Sequence, residues 1–114
     1  VEIDVRKKGR ISVLEISGKL IIGEGDVQIR AKLQDLLDAG DRHFLFDMTR
    51  VSYMDSAGLG AVVACAKRAQ AHSGLLKVVA VPKGKADTLF NVTGLKRVFE
   101  VYSDEKSALA SFLR

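Results

Sequence analysis

The residues best suited to chemistry lie in one run, Tyr53-Met54-Asp55-Ser56-Ala57-Gly58-Leu59-Gly60. It places a hydroxyl, a carboxylate and two glycines together. The apolar stretch His43-Phe44-Leu45-Phe46-Asp47-Met48 precedes it, and a segment with helical spacing follows. A serine nucleophile would need Gly-x-Ser-x-Gly at a strand-to-helix turn. Gly58 fits, but Met54 stands where the first glycine belongs. A base is also required. His72 lies at the far end of the helix that Ser56 opens, on the order of 20 Å away at ~1.5 Å per residue. Nothing in the spacing brings His43 near. A small serine hydrolase is the weakest reading. A dinucleotide loop built on Gly58-x-Gly60 fails too, because Val63 replaces the third glycine and Val78-Val79-Ala80 supply no acid further on. No Gly-x-x-x-x-Gly-Lys-Ser/Thr loop occurs. One cysteine and two separated histidines give no zinc-ligand spacing, so neither metal nor cofactor is expected.

Ser56 suits two further roles. Unmodified, its hydroxyl is suited to cap a helix by accepting from free backbone N–H groups. Phosphorylated, it would carry roughly −1.5 to −2 charge at the positive end of the helix dipole. The fold would tolerate that charge, while a partner docked over the helix start would not. Local physics alone favours the plain cap, since serine is common there.

The elements that must position this run are legible. Val1, Ile3 and Val5 alternate with Glu2, Asp4 and Arg6, which predicts a half-buried strand. Lys7-Lys8-Gly9-Arg10 reads as a turn. Ile11, Val13, Leu14 and Ile16 predict an antiparallel partner strand, ended by Gly18. Lys19 to Gly25 reads as a loop. Ile29, Leu33, Leu36 and Leu37 mark one face of a helix capped by Asp26 and stopped by Gly40. Phe44-Leu45-Phe46 suits a strand covered on both faces. Asp47, near its end, reads as a capping or loop-ordering carboxylate rather than a catalytic one, and Thr49-Arg50-Val51-Ser52 reads as loop. The next helix spans about Ala57 to His72. Leu59, Val62, Val63, Ala66 and Gln70 form its stripe, and Gly60, Ala61, Ala64 and Cys65 form a small-residue face expected to pack inside the domain. Leu75 to Val81 reads as a strand stopped by Pro82. A short helix around Ala86, Leu89, Phe90 and Thr93 follows, stopped by Gly94. Val98 to Tyr102 reads as a final strand. A last helix starts at Ser103 or Asp104, with Glu105, Ala108, Leu109 and Phe112 as its stripe.

The order β-β-α-β-α-β-α-β-α predicts an α/β fold: a mixed sheet with an N-terminal antiparallel hairpin, packed against about four helices through right-handed crossovers. With 114 residues, 47% hydrophobic and 28% charged, the chain reads as one domain over 1–114. No apolar run approaches the ~18 residues a membrane span needs, and no secretory leader is visible. The single Cys65 favours a reducing compartment, so a cytoplasmic location is expected. The net charge of +4 comes from scattered cations. The one tight cluster, Arg6-Lys7-Lys8-Gly9-Arg10, has no interleaved aromatics, so no direct nucleic-acid role is expected.

The chain resembles the STAS-domain family, and within it the bacterial anti-anti-sigma factors, also called anti-sigma factor antagonists. Leu45-Phe46-Asp47-Met48 through Asp55-Ser56-Ala57-Gly58-Leu59-Gly60 carries the resemblance, supported by Gly18-Lys19-Leu20 and by Thr93-Gly94-Leu95 with Val98-Phe99. The resemblance implies a protein that binds an anti-sigma factor serine kinase and so frees a sigma factor. The kinase would phosphorylate Ser56 and end the interaction, and a phosphatase would restore it. It further implies a partner surface of Asp55, Ser56, Ala57, Gly58, Gly60 and Ala61, with Asp55 shaping the acceptor loop. Many relatives carry Asp where Ile21 stands, and Glu24 or Asp26 are the nearby acids. The second reading is a STAS adaptor or scaffold, transporter-associated or in a signalling complex, that is never phosphorylated.

Overall fold

The computed structural model describes residues 1–113. Its elements in chain order are β1 (Glu2–Lys8), β2 (Ile11–Leu20), α1 (Gly25–Asp38), β3 (His43–Met54), α2 (Ser56–Ala71), β4 (Leu75–Val79), α3 (Lys85–Val92), a 3-10 turn (Leu95–Arg97), β5 (Val101–Tyr102) and α4 (Glu105–Ser111). The sheet order is β1-β2-β3-β4-β5. The β1–β2 pair is antiparallel and the other three are parallel. The expected mixed sheet, hairpin and four helices are all present.

Consecutive strand order has a geometric consequence. Right-handed crossovers that always step in the same direction put their helices on the same face of the sheet. The larger core cluster lies there, joining Leu14, Ile16, Phe44, Phe46 and Val78 to Ile29 and Leu33 of α1, Val62 of α2 and Phe90 of α3. The opposite face is covered by α4, where Ile11, Val13, Leu45 and Val79 meet Ala108. Phe44, Leu45 and Phe46 are each fully buried because alternate residues face these two layers.

Several elements differ from the sequence reading. β1 continues to Lys8, so the hairpin turn is Gly9-Arg10 alone. The cationic cluster is thereby split: Arg6 pairs with Glu15 and Glu105, and Lys7 with Asp41. Gly18 does not end β2. It sits within the strand at φ +93, beside a register shift against β3. A residue with positive φ inside a strand marks a bulge, which glycine accommodates without strain. The strand then runs on to a fully buried Leu20. Thr49-Arg50-Val51-Ser52 is strand rather than loop, because β3 stays paired with this extension as far as Met54. Asp47 still acts locally, accepting from the Thr49 backbone N–H and hydroxyl. α1 begins at Gly25, and Glu24 rather than Asp26 holds the cap position. The last strand shrinks to Val101–Tyr102, since the 3-10 turn takes up the chain after Gly94. Asp104 caps α4, one of the two residues expected to do so.

Candidate functional site

The site forms where extended β2 and β3 end together and α2 begins. Leu20 and Met54 are paired at this end of the sheet. Directly after Met54, Asp55 leaves the strand in extended conformation and caps α2. Its Oδ1 accepts from the Gly58 backbone N–H at 2.8 Å. Its Oδ2 accepts from the Ile22 backbone N–H at 3.0 Å, and its own N–H donates to the Leu20 carbonyl at 3.4 Å. One carboxylate thus closes the helix start and holds the β2–α1 loop against it. The amide donors of Gly58 and then Ile22 hold the Asp55 carboxyl below the usual carboxylate range.

Asp55, not Ser56, is therefore the N-cap. Both residue types are good caps, and the choice follows from Leu20 and Ile22 lying within reach of Asp55. Ser56 occupies the first helical position and is exposed. Among the described residues its hydroxyl makes no hydrogen bond. No acidic residue stands in the first turn of α2.

Gly58 explains how closely the helix seats. A Cβ there would lie 2.0 Å from the Leu20 carbonyl oxygen, so only glycine lets α2 approach the end of β2 this far. A Cβ on Gly60 would meet nothing within 4 Å. The expected partner surface is thus divided. Ser56 and Gly60 are exposed, while Asp55 and Ala57 are half-buried. Gly58 and Ala61 are buried, so they act by seating the helix. The small-residue face is divided likewise: Ala61 and Cys65 turn inward, and the Cys65 thiol lies 3.9 Å from the Ile29 carbonyl of α1. Burial pushes that thiol up to about 12, which leaves it unreactive. Gln70 is exposed and leaves the predicted stripe.

Two side chains at the site were not foreseen. Ile22 is 71% exposed and Tyr53 50% exposed, and they flank the Asp55-Ser56 pair. Tyr53 also lines a groove of about 460 Å³ together with Lys83, Lys85, Leu89 and Val92. Tyr53 opens the run singled out in the sequence, but its exposure is a fact of the fold.

Neither histidine reaches Ser56. His43 opens β3 at the opposite end of the strand and its ring packs on Phe112. His72 follows the last turn of α2, where its Nδ1 lies 2.9 Å from the Arg68 carbonyl. Among the described residues, Glu15, Asp47 and Glu105 bring their carboxylates within 4.8 Å of one another, but Arg6 already pairs with two of them. No helix is long and apolar enough to cross a membrane among the described residues.

Residues 2–108 match the family model described as the STAS domain. The chain is 30% identical over 101 residues to the anti-sigma-B factor antagonist of Bacillus subtilis, covering 89% of this chain and 90% of the relative. In fold it is similar to a candidate anti-sigma factor antagonist of Thermotoga maritima, with a TM-score of 0.88 at 21% identity over 98% of this chain and 95% of that one. It is likewise similar to the Bacillus cell fate determinant SpoIIAA in its phosphorylated form, with a TM-score of 0.74 at 23% identity over 97% and 99% of the two chains.

Proposed function

The chain belongs to the STAS domain family, and on that premise we propose that it is an anti-sigma factor antagonist whose docking surface is switched by phosphorylation of Ser56. In this reading an anti-sigma factor that is also a serine kinase docks over the start of α2 and releases its sigma factor. Transfer of a phosphoryl group to the Ser56 hydroxyl then ends the contact, and a phosphatase restores it. The setting would be the cytoplasm, where sigma factors act. The protein itself would catalyse nothing: Ser56 is acted upon, with no imidazole near it.

The observation that carries this reading is the division of labour between Asp55 and Ser56. The cap is already made by Asp55, which leaves the Ser56 hydroxyl exposed and without a structural partner among the described residues. A phosphate there would sit at the positive end of α2, where the one adjacent acid, Asp55, already has its carboxylate engaged by the Gly58 and Ile22 amides. The fold would keep its hydrogen bonds, and the change would fall on a docking partner as new charge beside Ile22 and Tyr53. The relative named as an anti-sigma-B factor antagonist and the neighbour solved in a phosphorylated form are in keeping with this.

The test is incubation with the cognate anti-sigma kinase and ATP. Mass spectrometry should find one phosphate, on Ser56, and Ser56→Ala should remove it while still binding the kinase. Ser56→Asp should bind more weakly with its melting temperature almost unchanged. A chain that binds the kinase and is never modified would instead be a constitutive adaptor.

A further inference from the structure

The groove between α1 and α2 is lined by neither Asp55 nor Ser56. It measures about 630 Å³, with a floor of Ala31, Leu33, Ala64 and Cys65 and a rim carrying Arg30, Lys67 and Arg68. We infer that this groove is a docking channel for an acidic helix of a protein partner, continuous with the surface around Ser56. The inference rests on the proposed function only for the identity of that neighbouring surface.

Three observations lead there. First, the charge is one-sided. No acidic residue occurs from Ser56 through Ala86, so every charge on α2 is positive. No ion pair among the described residues uses Arg30, Lys67 or Arg68. Arg68 donates to the Gln34 side chain across the groove, Gln34 donates in turn to Asp38, and Asp38 is not among the lining residues. Second, the helix dipole does not explain the set. Lys67 and Arg68 lie toward the negative end of α2, where a cation is favoured. Arg30 lies in the second turn of α1, nearer the positive end, where it is not. Third, the floor is open. Ala31 is exposed and Ala64 half-buried, so their short side chains leave the space between the two helices accessible from outside.

Along α2 the outward positions run from Ser56 through Gly60 and Ala64 to Arg68. That is about 18 Å at 1.5 Å per residue, a length that a helix of roughly twelve residues spans. Carboxylates spaced i, i+4 on such a helix would meet Arg30 from one side and Lys67 and Arg68 from the other. Its remaining end would lie over Ser56, so a phosphate there would face a like-charged occupant.

The probe is a synthetic alanine-based helix of about sixteen residues with glutamates on one face at i, i+4 spacing. Its counterpart carries lysines at the same positions. Titration of the isotope-labelled protein should give saturating amide shifts at Arg30, Ala31, Ala64 and Lys67, with no such shifts from the lysine peptide. Arg30→Glu/Lys67→Glu should weaken binding at least about tenfold, and added salt should weaken it in the unaltered protein. Neither residue has an ion-pair partner among the described residues, and an unchanged melting temperature for the double variant would confirm an intact fold. Shifts that follow every exposed cation alike, including Lys8 and Lys106, would overturn the inference. So would the absence of saturating shifts, or a double variant that binds as well as the parent. Ser56→Asp in the same titration reads the switch separately: groove binding that persists unchanged would count against the coupling to Ser56 and leave the groove standing.

Discussion

Two helices of this chain open on the same local device and use it differently. α2 and α4 both begin after an aspartate in extended conformation whose carboxylate accepts from the backbone N–H three residues on. In α4 the second oxygen of Asp104 is spent on the Ser107 hydroxyl at 3.0 Å, so the motif closes on itself. In α2 the second oxygen of Asp55 reaches Ile22, which is 33 residues away in sequence. The residue three after the aspartate differs in the same sense. Ser107 is exposed, whereas Gly58 is pressed against the Leu20 carbonyl. α4 thus has a cap that serves the helix. α2 has a cap that joins a loop, a strand end and a helix, and leaves an adjacent serine without a partner among the described residues. The motif is local, and its meaning comes from the tertiary surroundings.

The contrast can be broken most severely at Gly58. Gly58→Ala should destabilise the fold by about 3 kcal/mol, because the added methyl meets backbone that cannot swing aside. Chemical denaturation measures this, and a near-neutral result would mean that α2 is not seated as described. Next in size is the pair Asp55→Ala and Asp104→Ala. The first should lower the melting temperature more, and it alone should speed hydrogen exchange at Ile22. The pH response follows the same lines. Asp55 is held below its ordinary range by its amide donors, so its contribution is full above the unfolded value of about 3.9. It is lost only as pH falls through the lower folded value. Protection of the Ile22 amide should therefore persist as the pH falls through the ordinary aspartate range and fail only once the Asp55 carboxyl is itself protonated. Smaller again is Gly60→Ala, which should stabilise by about 1 kcal/mol, since the site is open and helical. The smallest effect is expected for Ser56→Ala, within about 0.5 kcal/mol. A loss of 1 kcal/mol or more there would return the cap to Ser56 and remove the asymmetry with α4.

The order of elements was legible because it rests on strong periodicity: Ile29, Leu33 and Leu37 at helical spacing, and Phe44-Leu45-Phe46 as an apolar run. The continuations of β2 and β3 were not. Beyond Gly18 and Asp47 these strands hold each other in a two-stranded extension with bulges, and their alternation is broken by Lys19, Arg50 and Ser52. Pairing of this kind is a tertiary fact with little trace in either segment alone. The motif around Ser56 was found, but its internal roles were not, since Asp55 and Ser56 are equally good caps until Leu20 and Ile22 are in place. Leu20-Ile21-Ile22 is an apolar run in which nothing local tells the buried Leu20 from the exposed Ile22; that difference emerges only when the loop is tied to Asp55. Val98 to Tyr102 misled for the opposite reason. Its alternation is real, but the Val98 and Phe99 amides fold back onto the Leu95 carbonyl at the end of the 3-10 turn, so only Val101–Tyr102 is strand.

The strand order bears on how the molecule is made. Every strand after β1 pairs with the one immediately before it in the chain. No strand must wait for a partner that has yet to be synthesised, and no completed edge must be reopened to admit a later one. The ribosome can therefore release this sheet by accretion at a single growing edge, with each crossover helix laid down over strands already joined.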